Sequence, residues 1–157
     1  MKFVELPQKL KQQILPLYIL KGDDFFVVSS AIKHISNACG NEMSDFNKSF
    51  FDNENFSAQK LLEAVEMLPL GNDQKFVLIK NVEKITETEK KKVAEILENI
   101  PSSTTVVVVY NDAWKFLKVG EIVDCGKLAP DIVQKFVRVE LNKKNKTITP
   151  EDRKSVV

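Results

Sequence analysis

Gly22, Asp23 and Asp24 stand in LKGDDFF, residues 20–26, where an apolar run gives way to an amphipathic segment. A strand-to-helix turn of this kind is where backbone N–H groups can collect a phosphate. A phosphate loop needs several glycines to wrap the backbone around the phosphates, a lysine for charge and a hydroxyl for magnesium. Here one glycine is followed by two carboxylates, which repel a triphosphate. Magnesium would further need an acidic pair after the apolar run FVLI, but Lys80, Asn81 and Val82 follow it, with Glu83 standing beyond. Asn111, directly after VVVVY, occupies a place where a polar residue can sense a nucleotide; with no phosphate loop it reads as a turn residue. The single histidine, His34, has no ligand-spaced partner and reads as a solvated surface residue. It leaves no triad to assemble. Cys39 and Cys125 are too far apart for a metal or redox motif and read as small buried hydrophobes of a reduced protein. These residues imply no catalytic residue, no cofactor and no metal ligand, on a framework of the nucleotide-binding kind.

That framework follows from alternating patterns. Phe3 to Leu15 reads as an amphipathic helix with Pro7 in its first turn, closed by Pro16. Leu17 to Leu20 is the first core strand. Asp23 or Asp24 can cap the next helix, whose inward stripe is Phe25, Val28, Ile32, Ile35 and Cys39, with Gly40 at its end. Phe46 to Phe51 is a second strand candidate. Thr86 and Glu89 form a capping box for a helix with Val93, Ile96, Leu97 and Ile100 facing in. The β-branched run TTVVVVY is a central strand, and Glu121 to Cys125 another. Strands alternating with helices imply parallel pairing through right-handed crossovers. The expected fold is an α/β three-layer sandwich with a roughly five-stranded parallel sheet over residues 1–128.

The stretch that organises the chain is SAQKLLEAVEMLPLGNDQKFVLIK, residues 57–80. Ser57 is a candidate N-cap, and Leu61, Leu62, Val65 and Leu68 recur at helical spacing. Pro69 ends the helix near Met67, and Gly71, Asn72 and Asp73 complete a turn before the buried strand from Phe76. Leu68, Pro69 and Leu70 thus sit at a tip. They either plug the protein's own core or form a wedge for a partner; the rarity of exposed apolar patches favours the plug.

Composition narrows the function classes. The 157 residues, 43% hydrophobic, suffice for one sizeable core, and 23 Lys and Arg against 22 Asp and Glu create no global field for nucleic acid or membrane. Only Arg138 and Arg153 offer guanidinium forks. Lys90 to Lys92 read as a solvated helix face; together with Lys143, Lys144 and Lys146 they are the residues a DNA-binding module would use. The opening segment lacks the features of an export signal and no segment approaches a membrane span, so a soluble, cytoplasmic protein is expected. After Ala129 a helical stripe of Ile132, Val133, Phe136 and Val137 has no strand to follow, and Thr149, Pro150 and Glu151 read as another helix start. Residues 129–157 are therefore expected to begin a helical second, lid-like domain of a longer protein.

Three stretches resemble the delta subunit of the bacterial DNA polymerase III clamp loader. LYILKGDDFFVVSSAIKHI is similar to that family's strand, acidic turn and helix. FDNENFSAQKLLEAVEMLPLGNDQKFVLIKNVEK is similar to its helix ending in an L-P-L-F tip, and DCGKLAPDIVQKFVRVELNKKNKTITPED to its passage into a helical second domain. The resemblance implies a degenerate AAA+ domain that binds no ATP and pries open the sliding clamp, the beta subunit, by an apolar wedge. It implies further contacts with the other clamp-loader subunits through a C-terminal domain, and with DNA only inside the assembled complex. By motif the wedge falls on Leu68, Pro69 and Leu70, with Met67 and Gly71 beside them in the expected clamp-binding set, which shifts the tip from plug to wedge. Gly71 stands where the family has phenylalanine; losing roughly 1.5–3 kcal/mol of burial would weaken binding about tenfold to a hundredfold unless Leu70 or Met67 substitutes. The loop NDAWKFLKVG is shorter than in the family, and Trp114 in it is expected to serve packing and not to be a binding hot spot. Two other readings stay open: a divergent nucleotide-dependent enzyme using Gly22, and a DNA-binding module using the lysines.

Overall fold

Five short runs rich in β-branched and apolar residues pair into one sheet: Leu17–Lys21 (β1), Lys48–Phe51 (β2), Lys75–Ile79 (β3), Thr104–Val109 (β4) and Glu121–Asp124 (β5). The computed structural model describes residues 1–40, 47–69 and 74–126. Within them the strand order is β2-β3-β4-β1-β5, and every neighbouring pair is parallel. Parallel neighbours need crossovers long enough to return the chain. Helices Phe25–Cys39 (α2), Ala58–Glu66 (α3) and Glu87–Glu98 (α4) supply the first three, and a 3-10 turn at Asp112–Trp114 lies in the last. The helix Leu6–Gln12 (α1) precedes the sheet.

Alternation along the strands sorts the core into two layers of contact. Leu17, Ile19, Val77, Ile79, Val106 and Val108 form one buried cluster with Leu61 and Val65 of α3, Val93 and Leu97 of α4, and Trp114. The alternate residues Tyr18, Leu20, Phe76 and Val107 are buried on the opposite face, where α2 packs with Val27, Ala31, Ile35 and Cys39. The three-layer α/β sandwich expected from the sequence is the fold observed. Trp114 is 1% exposed and sits 5.8 Å from Phe56 and 5.9 Å from Phe116, ring centre to ring centre, as a core residue.

Local expectations are corrected at several places. The segment from Phe3 to Leu15 is not one helix: a 3-10 turn at Phe3–Glu5 precedes α1, and Gln13 is already extended. Pro7 in the first turn of α1 explains the break, because proline fits a helix start and not its middle. His34 is half-buried, its ring 6.0 Å from that of Phe3, so it is no solvated surface histidine; α1 and its leading turn pack back on α2. Phe25, placed by periodicity on the inward stripe of α2, is 74% exposed, since the first turn of α2 runs past the sheet edge and burial begins at Val27. Strand β2 begins at Lys48, and Phe46 lies outside the described residues. So do residues 127–157, and with them the expected helical second domain; the unit described runs Met1–Gly126.

Candidate functional site

Two regions compete for function: the edge of the sheet where strands end, and the tip after α3. In a parallel sheet of this order, the strand-end edge is where a nucleotide would sit. It holds a cavity of about 600 Å³ lined by Gly22, Asp23, Glu83, Tyr110, Asn111 and Asp112. Its carboxylates carry the wrong charge for a phosphate, and its one side-chain amide is already committed. Asp24 caps α2, its Oδ1 accepting from the Val27 N–H at 3.2 Å, so a carboxylate built into the chain occupies the helix N-terminus. Asn111 spends both ends of its amide on the protein: Oδ1 accepts from the Ala113 N–H at 2.9 Å, and Nδ2 donates to the Val82 carbonyl at 2.8 Å. It is a turn residue, as its sequence context indicated.

Gly22 has a reason to be glycine that involves no phosphate. Its φ is +153°, and a Cβ would lie 2.3 Å from the Cys125 carbonyl carbon. The close approach lets the Cys125 N–H reach the Lys21 carbonyl at 2.7 Å, joining the ends of β1 and β5. The two lysines of this edge lie over aromatic rings, Lys21 Nζ 4.9 Å from Tyr110 and Lys80 Nζ 5.4 Å from the exposed Phe25. Among the described residues no group of three or more His, Cys, Asp and Glu is arranged to hold a metal.

The tip is built differently. Ser57 caps α3, its Oγ accepting from the Lys60 N–H at 3.1 Å, and Leu61, Ala64 and Val65 seal its inner face. The last helical hydrogen bond runs from the Met67 N–H to the Glu63 carbonyl at 3.1 Å, and Met67 is itself extended, with ψ 127°. Leu68 therefore leaves the helical phase that its spacing suggested and does not join the inner stripe. It is 74% exposed and Met67 53%, while Pro69 is half-buried. Leu68 is thus no plug for the protein's own core. Leu70 and Gly71 lie outside the described residues.

Both roots of the tip are fastened to β4. On the outgoing side, the Thr104 Oγ1 donates to the Val65 carbonyl at 3.0 Å in a buried contact, satisfying one of the acceptors a helix end leaves open. On the returning side, Gln74 Nε2 donates to Thr105 Oγ1 at 2.8 Å, and the Lys75 N–H donates to the Ser103 carbonyl at 2.7 Å. Lys75 is 1% exposed, and burial holds its ammonium below the ordinary lysine value. Sequence reading missed Lys75, because a lysine flanking an apolar run ordinarily marks where a strand leaves the core.

Comparison with known proteins bears on both regions. Among curated proteins no relative matches this chain. Among solved structures, the Bacillus subtilis DNA clamp loader delta protein superposes with a TM-score of 0.69 at 18% identity, covering 91% of this chain and 48% of its own. A DNA polymerase III gamma subunit-related protein from Thermotoga maritima gives a TM-score of 0.62 at 13% identity, covering 87% of this chain and 49% of its own. The chain therefore spans about half the length of each, and at these identities the likeness is one of fold. The sequence profile of the family described as DNA polymerase III, delta subunit, matches residues 18–123, from β1 through the tip to β5. That match covers most of the described fold, and the chain belongs to the DNA polymerase III delta-subunit family.

Proposed function

We propose that this chain forms the N-terminal part of a clamp-loader delta subunit, which docks on the sliding clamp through Met67, Leu68, Pro69, Leu70 and Gly71. The observation that carries this reading is the exposure of Met67 and Leu68 at a tip whose two roots are tied to β4. Exposed apolar side chains are unfavourable in water and become favourable in a pocket, so the tip is poised to exchange solvent for a partner. Opening of the clamp ring follows if the tip binds an opened or strained ring better than a closed one; only that difference in affinity can shift the ring. No ATP hydrolysis by this chain is involved. Contacts with the other clamp-loader subunits fall to the remainder of such proteins, and DNA contacts to the assembled complex.

Titration of this protein with its sliding clamp tests the reading. Each leucine contributes about 1.5–3 kcal/mol on burial, so Leu68→Ala with Leu70→Ala is expected to weaken binding at least a hundredfold while folding is retained. Equal affinity of wild type and double variant would remove the tip from the interface.

A further inference from the structure

Helices α3 and α4 lie against one another, and an open groove of about 400 Å³ runs between them. Val65 is buried within it, Leu62 and Ile96 are half-buried, and Gln59, Lys92 and Glu95 are exposed along its rim. The groove also borders Glu66, the last residue of α3, so it begins one residue before the exposed Met67 and Leu68.

Area decides whether the tip can act alone. A specific protein interface covers roughly 800 Å² on each partner. Met67, Leu68, Pro69 and Leu70 are all smaller than an aromatic ring system; even at the roughly 150 Å² that marks the low end for aromatics, four side chains reach about 600 Å². Met67 and Leu68 are only 53% and 74% exposed, which lowers that ceiling further. A partner that seats the tip must therefore cover adjoining surface, and among the described residues this groove is apolar surface that adjoins it.

We infer that the α3–α4 groove belongs to the same docking face and receives an uncharged apolar side chain projected by the protein that seats the tip; this rests on the clamp-docking reading above. The contact is then reciprocal, with tip in partner and partner in groove. The rim sets one cation, Lys92, against two carboxylates, Glu66 and Glu95, and so repels a phosphate or an acidic peptide, while the apolar floor of Leu62, Val65 and Ile96 penalises burying a charge of either sign.

Gln59→Trp and Glu95→Trp test this by setting an indole at an exposed rim position, which fills the groove and leaves the buried helix faces intact. Sliding-clamp binding is measured by calorimetric titration beside the Leu68→Ala, Leu70→Ala variant, with thermal unfolding as the folding control. Each tryptophan variant is expected to bind at least tenfold more weakly than wild type at unchanged Tm. If an indole disturbs folding, Leu62→Ser reads the same contact, with the same tenfold loss expected. Groove variants that bind within twofold of wild type, while the tip variant loses binding, overturn the groove and leave the tip standing. Failure of folded wild type to bind overturns the tip and the groove together.

Discussion

Lys75 begins a core strand with a side chain that is 1% exposed, and among the described residues its ammonium has no ion-pair partner. Burial of a cation lowers its pKa from the ordinary 10.5, meaning that the unfolded chain holds the proton more tightly than the folded one. The resulting cost is fully present below the folded-state pKa and fades as pH rises from there toward the ordinary value. Lys75→Met is therefore expected to stabilise the protein by about 1 kcal/mol at neutral pH, the scale of an unsatisfied buried polar group. Urea unfolding should show that advantage shrinking as pH approaches 10. A destabilised variant, or an advantage independent of pH, would show that the ammonium is satisfied. Other residues were legible because their roles are local. Asp24, Ser57 and Thr86 each cap the helix that follows, and a cap depends on residue type and the next few positions alone. Cys125, whose thiol burial pushes up to about 12, is the inert core cysteine its context suggested. Lys75 was illegible because its burial is set by the strand register and by the root of the tip, both distant in sequence.

At the scale of elements, Thr104 connects the strand at the centre of the sheet to the end of α3. Its hydroxyl supplies the Val65 carbonyl with a buried partner, and valine has the same shape without the donor. Thr104→Val is expected to cost about 1–3 kcal/mol. In a chain of this length that lowers Tm by roughly 2–4 °C per kcal/mol. Hydrogen exchange locates the effect: the Met67 N–H, which closes the last turn of α3, should exchange faster, while the β3 amides keep their protection. Uniform loosening of sheet and helix would assign Thr104 to the core and not to the tip. All five strands and the helices α2 to α4 were readable, because β-branched runs and helical stripes report burial directly. The errors fall where the period continues past the element. Leu68 keeps the spacing of Leu61 and Val65 but stands beyond the last helical residue, Glu66, and Phe25 holds the spacing of Val28 and Ile32 but overhangs the sheet. Periodicity shows which face would point inward; it carries no information on where the neighbouring layer stops.

For the whole molecule the question is what a sheet of nucleotide-binding order offers when the ends of its strands carry carboxylates. A parallel sheet has two unlike edges. At the strand-end edge, Asp23, Asp24, Glu83 and Asp112 crowd the place where phosphates would be held, and the Asp24 carboxylate already caps the N-terminus of α2. At the other edge stand the roots of the tip, fixed to Thr104 and Thr105 at the start of β4. The lysines that a DNA-binding reading would use are partly engaged on α4, with Lys90 2.8 Å from Glu87, and the chain as a whole carries a formal charge of only +1. These features separate the three functional readings by their response to salt and nucleotide. Displacement of counterions from DNA lowers log K by about 0.9 per phosphate contacted for each unit of log salt, whereas burial of apolar side chains has no counterions to release. Clamp affinity measured between 50 and 200 mM salt is therefore expected to change by about threefold or less, and ATP added at about 1 mM is expected to leave both Tm and clamp affinity unchanged. A steep loss of binding with salt would transfer the interface from the leucines to the lysines. A rise in Tm with ATP would mean that the acidic edge holds nucleotide after all, since a ligand that binds only the folded state must stabilise it.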